Sequence, residues 1–184
     1  MTAAQRGTAT HQFMQFCDFS ALAEMTGTPK DRIEAEIRRL SDGHFLDAET
    51  VSRIDRRTLA QFLGSRLFAR LKYAKTLYRE VRFNLFVNAA ELPGYTGDDA
   101  EILVQGIIDC CYIDPSDRVV LIDYKTDHFP RELCADREKV EAILHKRYAD
   151  QLKYYRAAAE QLFCREVADV RIYSFALGDD FSVF

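Results

Sequence analysis

The sequence lacks several things whose absence narrows its chemistry. Its five cysteines (17, 110, 111, 134 and 164) are odd in number and show no C-x-x-C spacing, which argues against a zinc site or a disulfide framework and for reduced thiols. No apolar run approaches the roughly 20 residues of a membrane span, and the N-terminal residues do not have the shape of a secretory signal. A cytoplasmic protein is therefore expected. The phosphate-cradling pattern G-x-x-x-x-G-K-[ST] is missing, so the chain holds no P-loop ATP site. Internal repeats, low-complexity segments and domain-splitting linkers are absent too.

What remains is an ordinary globular composition: 184 residues, 48% apolar and 29% charged, enough for one domain with a substantial core. The net charge of −4 argues against a general nucleic-acid binder. Residues 51–82 run the other way, with Lys or Arg at 53, 56, 57, 66, 70, 72, 75, 79 and 82 against Asp55 and Glu80. That segment is either a solvated helix face or a local hold on a polyanion.

Hydrophobic periodicity and cap chemistry place the elements. A first helix covers "THQFMQFCDFSALA", with Thr8 or Thr10 as possible caps. A second covers "TPKDRIEAEIRRL", with Thr28 as N-cap and Pro29 at the first position. A third, basic and amphipathic, covers "DRRTLAQFLGSRLFARLKYA". Strand-like alternation follows in "TLYREVRFNLFVNA", then a loop in "ELPGYTGDDA", then strands at about 101–113 and 118–126. A long helix at 137–163 and a final strand in "VADVRIYSFAL" complete an α/β domain with a mixed central β-sheet flanked by helices. Residues 1–74 are mainly helical, and 75–184 form the sheet core.

The strands at 101–113 and 118–126 pose a question, because they drive "GIID" and "VVLIDYK" through the interior and leave Asp109, Asp123 and Lys125 there. Burying ionised groups without partners costs several kcal/mol each. Alternation puts Asp123 and Lys125 on one face and Tyr124 on the other. A hairpin whose paired residue numbers sum to 232 sets Asp109 opposite Asp123, and this requires a three- or five-residue loop or a bulge; a sum of 231 would separate them. Facing carboxylates repel unless a cation lies between them. Two aspartate oxygens suit Mg²⁺ or Mn²⁺, and an adjacent lysine suits phosphodiester hydrolysis. The alternative is a simple Asp–Lys ion pair at a strand end.

Five segments in order, "RGTATHQFMQF", "YREVRF", "VQGIID", "LIDYKTD" and "QLKYY", resemble the nuclease domain of the RecB family within the PD-(D/E)xK superfamily. Their closest likeness is to the C-terminal nuclease domain of AddA-type helicase–nucleases (AddAB or RexAB complexes). The resemblance implies a restriction-endonuclease-like fold and a Mg²⁺-dependent deoxyribonuclease, with Mn²⁺ as a substitute, acting as an exonuclease in double-strand-break repair by homologous recombination. It implies a metal held by His11, Asp109, Asp123 and the Tyr124 carbonyl, with Lys125 as catalytic lysine. Glu80 would hold a second metal or orient Lys125, or else pair with Arg79 or Arg82. Gln151, Tyr155 and Tyr148 share a helix face and would contact DNA. The implied partners are DNA (single-stranded or a duplex end), a helicase domain of the same parent protein and an AddB- or RexB-like subunit. Some relatives carry an iron–sulfur cluster on one cysteine before the core and three clustered after it; with Cys164 alone after the long helix, none is expected here. Two alternatives stand beside this reading: a catalytically idle DNA-end-binding or scaffold module, and a stand-alone PD-(D/E)xK nuclease of another role.

Overall fold

A computed structural model describes residues 2–74, 76–91, 95–97 and 100–184, with the side chain of Glu91 left out. Lys75 of the basic segment, and Leu92, Pro93, Gly94, Asp98 and Asp99 of the expected loop, lie outside the described residues.

Six helices come first: α1 (Ala3–Phe16), α2 (Phe19–Glu24), α3 (Pro29–Asp42), α4 (Ala48–Arg53), α5 (Arg56–Phe62) and α6 (Arg66–Leu71). Thr28 caps α3 in a reciprocal capping box with Asp31, and Pro29 opens it, as expected. The first helix differs from expectation. Its cap is Thr2, boxed with Gln5, whereas Thr8 and Thr10 lie inside the helix and spend their hydroxyls on the carbonyls of Ala4 and Arg6. The chain then breaks at Cys17, and Asp18 caps a separate α2. The fully buried carboxylate of Glu36 fixes that break. It accepts the Asp18 N–H at 2.7 Å and two hydrogen bonds from Arg39. The expected third helix is also two helices, parted at residues 63–65, where Ser65 caps α6.

The sheet contains β1 (Leu77–Asn88), β2 (Glu101–Ile113), β3 (Val119–Lys125), β4 (Val167–Ser174) and β5 (Asp179–Ser182), in that spatial order. All neighbours are antiparallel except β3 and β4. That parallel pair needs a crossover, supplied by α7 (Arg131–Cys134) and the long α8 (Arg137–Phe163). β5, too short to show periodicity, did not stand out in the sequence. No described helix is long and apolar enough to cross a membrane.

Two cores cover the sheet. Cys110, Tyr112, Val120, Ile122, Tyr124 and Tyr173 pack under the N-terminal helices. Phe83, Ile108, Cys111, Leu121, Val170 and Ile172 pack under α8. All five cysteines are free, and burial pushes the thiols of Cys110 and Cys111 up to about 12, so both stay protonated.

Four of the eight described basic residues of the segment are tied into the fold. Arg53 pairs with Glu49, Arg56 with Glu34 and Arg70 with Asp180. Arg79 donates to the Gln15 carbonyl and lies over the Phe19 ring. These four act as structural ties, which takes up part of the charge that the sequence concentrates.

Candidate metal centre and active site

The β2–β3 hairpin has the register that sums to 232: Cys110 faces Ile122 and Ile113 faces Val119, around a five-residue loop at 114–118. The ladder ends there. One step further, Asp109 would pair with Asp123, but its carboxylate instead accepts the Tyr124 backbone N–H at 2.7 Å. A side chain thus takes the place of a ladder hydrogen bond where the two strands part.

The β1–β2 ladder skips the pair at the same level, running from Arg79↔Cys110 to Val81↔Ile108 with Glu80 and Asp109 left out. Glu80 has a φ of 51°, a left-handed conformation that costs a non-glycine residue of order 1–3 kcal/mol. The faces change over at this level. Leu77 packs toward the N-terminal helices, but Val81 and Phe83 pack toward α8. Likewise Ile108 packs toward α8 and Cys110 toward the N-terminal helices. In both strands the strict period of two would keep each of these pairs on one face. The skipped pair absorbs one residue on each strand, so the register survives while the faces exchange. Glu80 and Asp109 are thereby released from sheet pairing.

His11 reaches this point from α1. Gly7, one turn earlier on the helix, makes that possible: a Cβ there would stand 2.8 Å from Thr126 Oγ1. Glycine lets the helix approach the end of β3 closely. His11 Nδ1 then lies 3.4 Å from Asp109 Oδ1, and its ring meets Tyr124 edge-on. Burial alone would lower the pKa of His11. The hydrogen bond and charge of Asp109, with Asp123 and Glu80 behind it, outweigh burial and raise it. Burial, reinforced by Asp109, also raises the pKa of Glu80. One ligand atom each from His11, Glu80 and Asp109 lies within 4.8 Å of the others.

Asp123 and Lys125 project from β3 toward α8. Asp123 is 3% exposed, and burial raises its pKa to about 6 despite the attraction of Lys125. Its Oδ2 lies 2.7 Å from Lys125 Nζ yet is a buried oxygen without a well-directed hydrogen bond. Lys125 Nζ also contacts Gln151 Oε1 at 3.4 Å and lies 4.3 Å from the centre of the Tyr148 ring. The Tyr148 hydroxyl donates to the Asp127 carboxylate, lying 2.8 Å from each oxygen, which holds that ring against the ammonium group. Gln151 Nε2 donates to the Tyr155 hydroxyl at 2.8 Å, and the Tyr155 ring packs on Phe83 above Gly106. Poorly solvated acids, an imidazole and a lysine in one corner form a set able to bind a hard cation and polarise a phosphate ester.

The match to the model of the PD-(D/E)XK nuclease superfamily covers residues 1–180. The chain belongs to that superfamily. It is 37% identical over 95% of its length to an ATP-dependent helicase/nuclease subunit from Geobacillus kaustophilus. Over its full length it is 36% identical to the protein of the same name from Moorella thermoacetica, and it is 32% identical over 95% to that from Acetivibrio thermocellus. It spans 12–14% of the length of these relatives.

The residues singled out in the sequence fall into two adjoining groups, with Asp123 close enough to His11 and Asp109 to act on them electrostatically. His11 and Asp109 meet with Glu80, whereas Asp123 turns to Lys125, and Tyr124 contributes a backbone N–H to Asp109 while its ring lies in the opposite core. Gln151, Tyr148 and Tyr155 stand around Lys125. Gly7 and Asp127 both lie in segments quoted from the sequence, "RGTATHQFMQF" and "LIDYKTD", but sequence reading gave neither a role. The i to i+4 spacing of Gly7 and His11 on one helix was the available signal for the first, and nothing in the residues signalled that Asp127 would hold Tyr148.

Proposed function

We propose that the domain, taken as the whole of residues 1–184, is a divalent-metal-dependent deoxyribonuclease that hydrolyses phosphodiester bonds. The observation that supports it most is the convergence of His11, Glu80 and Asp109 from α1, β1 and β2 beside the Asp123–Lys125 pair. The donor set of one imidazole nitrogen and several carboxylate oxygens fits Mg²⁺ or Mn²⁺, and the poorly satisfied, buried Asp123 Oδ2 is an oxygen that a cation would compensate. In this reading His11, Asp109, Asp123 and the Tyr124 carbonyl hold the metal, and Glu80 completes the set. Such an ion, when bound, supplies an activated water and neutralises charge developing on phosphoryl oxygens.

The chain's own groups do the rest. Lys125, steadied by Asp123, Gln151 and the Tyr148 ring, places a fixed positive charge where the phosphate gains negative charge. Asp109 receives the Tyr124 N–H, which locks its carboxylate toward His11. Gln151, Tyr155 and Tyr148 line the approach from α8 and contact the DNA backbone.

The relatives named as helicase/nuclease subunits support placing the domain as the exonuclease module of an AddA-type enzyme. There it would receive single-stranded DNA from a helicase domain of the same parent, work with an AddB-like subunit, and act in recombinational break repair in the cytoplasm. The test is cleavage of labelled single-stranded DNA with Mg²⁺ or Mn²⁺. Asp123→Ala and Lys125→Ala are each expected to lose activity by roughly 10²–10³-fold. Equal rates in all three proteins would remove this site from the chemistry.

A further inference from the structure

Beyond the exchange of faces at Glu80 and Asp109, the β1–β2 hairpin continues with one side uncovered. Val81, Phe83, Leu85 and Val87, with Val104 and Ile108, face α8. The opposite side is on the same side of the sheet as α1, but no described helix covers it. Its register pairs run Arg82↔Ile107, Asn84↔Gln105, Phe86↔Leu103 and, at the far end, Asn88↔Glu101. Phe86 is 66% exposed, Leu103 45% and Ile107 37%. Gln105 and Asn84 are tied to each other by a 2.8 Å hydrogen bond across the strands, which stiffens the face between the Arg82–Ile107 and Phe86–Leu103 pairs.

We infer that this face is a track for single-stranded DNA leading to the metal corner. The inference rests on the nuclease reading and extends it to a substrate path. Three observations favour this occupant. The track is continuous with the site, since the strands that display it also carry Glu80 and Asp109; from Glu80 to Phe86 the strand rises about 20 Å. Its charge is graded toward the site: in a chain of net charge −4 the three pairs nearest the metal corner hold no acid and carry Arg82, two residues from Glu80, while the face's one acid, Glu101, lies at the far end. Its chemistry suits unpaired bases. An exposed aromatic ring with flanking aliphatic groups on a sheet face gives bases a stacking platform, and side-chain amides give them sequence-tolerant polar contacts. A duplex hides those base faces and gains nothing from Phe86.

The test is fluorescence anisotropy of a fluorescein-labelled oligothymidylate with the 184-residue chain in Ca²⁺, repeated across salt concentrations. Phe86→Ala is expected to weaken binding roughly tenfold. Arg82→Ala should lower the salt slope by about 0.7, the release of one counterion from a single strand. A hairpin duplex should bind wild type and Phe86→Ala alike. Wild-type affinity in Phe86→Ala, or no binding by the unsubstituted chain up to about 100 µM, overturns the track. If Phe86→Ala keeps its DNA affinity but abolishes self-association seen for wild type in sedimentation, the face is a protein-docking surface and the track is also overturned. Failure of the track and failure of the nuclease reading separate cleanly. Metal-dependent cleavage with unchanged Phe86→Ala binding removes only the track, and Phe86-dependent binding without cleavage in any metal removes only the hydrolase.

Discussion

Two of the described aspartates are almost sealed from water, and they are treated in opposite ways. Asp180, 2% exposed, receives both Arg70 from α6 and Arg171 from β4, and Arg171 is held in turn by Asp169. Asp123, 3% exposed, has a single lysine whose ammonium group also faces Gln151 and Tyr148, and its pKa is driven up to about 6. One carboxylate fastens the helical layer to the sheet edge. The other is left short of compensation. The contrast teaches that burial alone does not mark a functional acid; burial with too few partners does.

The comparison can be broken at either end. The largest stability effect belongs to Asp180. Replacing it with Ala leaves Arg70 without its acid and Arg171 with Asp169 alone, and is expected to destabilise the fold by about 3 kcal/mol, read from urea denaturation. An effect below about 1 kcal/mol would dissolve the distinction from that side.

Asp123 should respond with the opposite sign. Its pKa is raised on folding, so the native state favours the protonated form. The penalty for ionising it is absent below the unfolded value of about 4 and fully present above about 6. In EDTA, Asp123→Asn is therefore expected to be more stable than wild type by about 1–3 kcal/mol at pH 8, with the gain vanishing near pH 4. A loss of stability at pH 8 would mean that Lys125 satisfies Asp123 as fully as the arginines satisfy Asp180.

The smallest effect sharpens the account of how His11 is placed. Gly7→Ala should press on Thr126 Oγ1 and displace His11, lowering Mn²⁺ affinity by roughly tenfold in calorimetric titration. Adding Thr126→Ala removes the oxygen in the way and should restore binding, because the Thr126 Cβ itself would stand at an ordinary 3.9 Å. No recovery in the double variant would show that the close approach of α1 is not what aims the imidazole.

Much of this architecture is legible in the residues. The Thr28–Pro29 start of α3, the long α8 and the two hairpin strands follow from periodicity and caps, which act locally, whereas the register was open between sums of 232 and 231 until the five-residue loop decided it. The misreadings are local conflicts settled by tertiary contacts. Thr8 and Thr10 look like caps until Thr2 wins the helix start, and the break at Cys17 depends on Glu36, which is distant in sequence. The grouping of the candidate residues was not legible in the sequence. Alternation counted from Val119 places Asp123 and Lys125 correctly. The same rule fails at Glu80 and Asp109, because a positive φ and a paired irregularity reverse the faces of two strands at once. Nothing in "YREVRF" or "VQGIID" signals that reversal.

The central claim is that an imidazole and carboxylates from separate elements are gathered to hold one divalent cation. Anomalous diffraction from crystals grown with Mn²⁺ tests it most directly. The account predicts a single strong peak bonded to a ring nitrogen of His11 and a carboxylate oxygen of Asp109, on the side where Glu80 and Asp123 approach. A peak elsewhere, or none while His11 keeps its contact with Asp109, would contradict it.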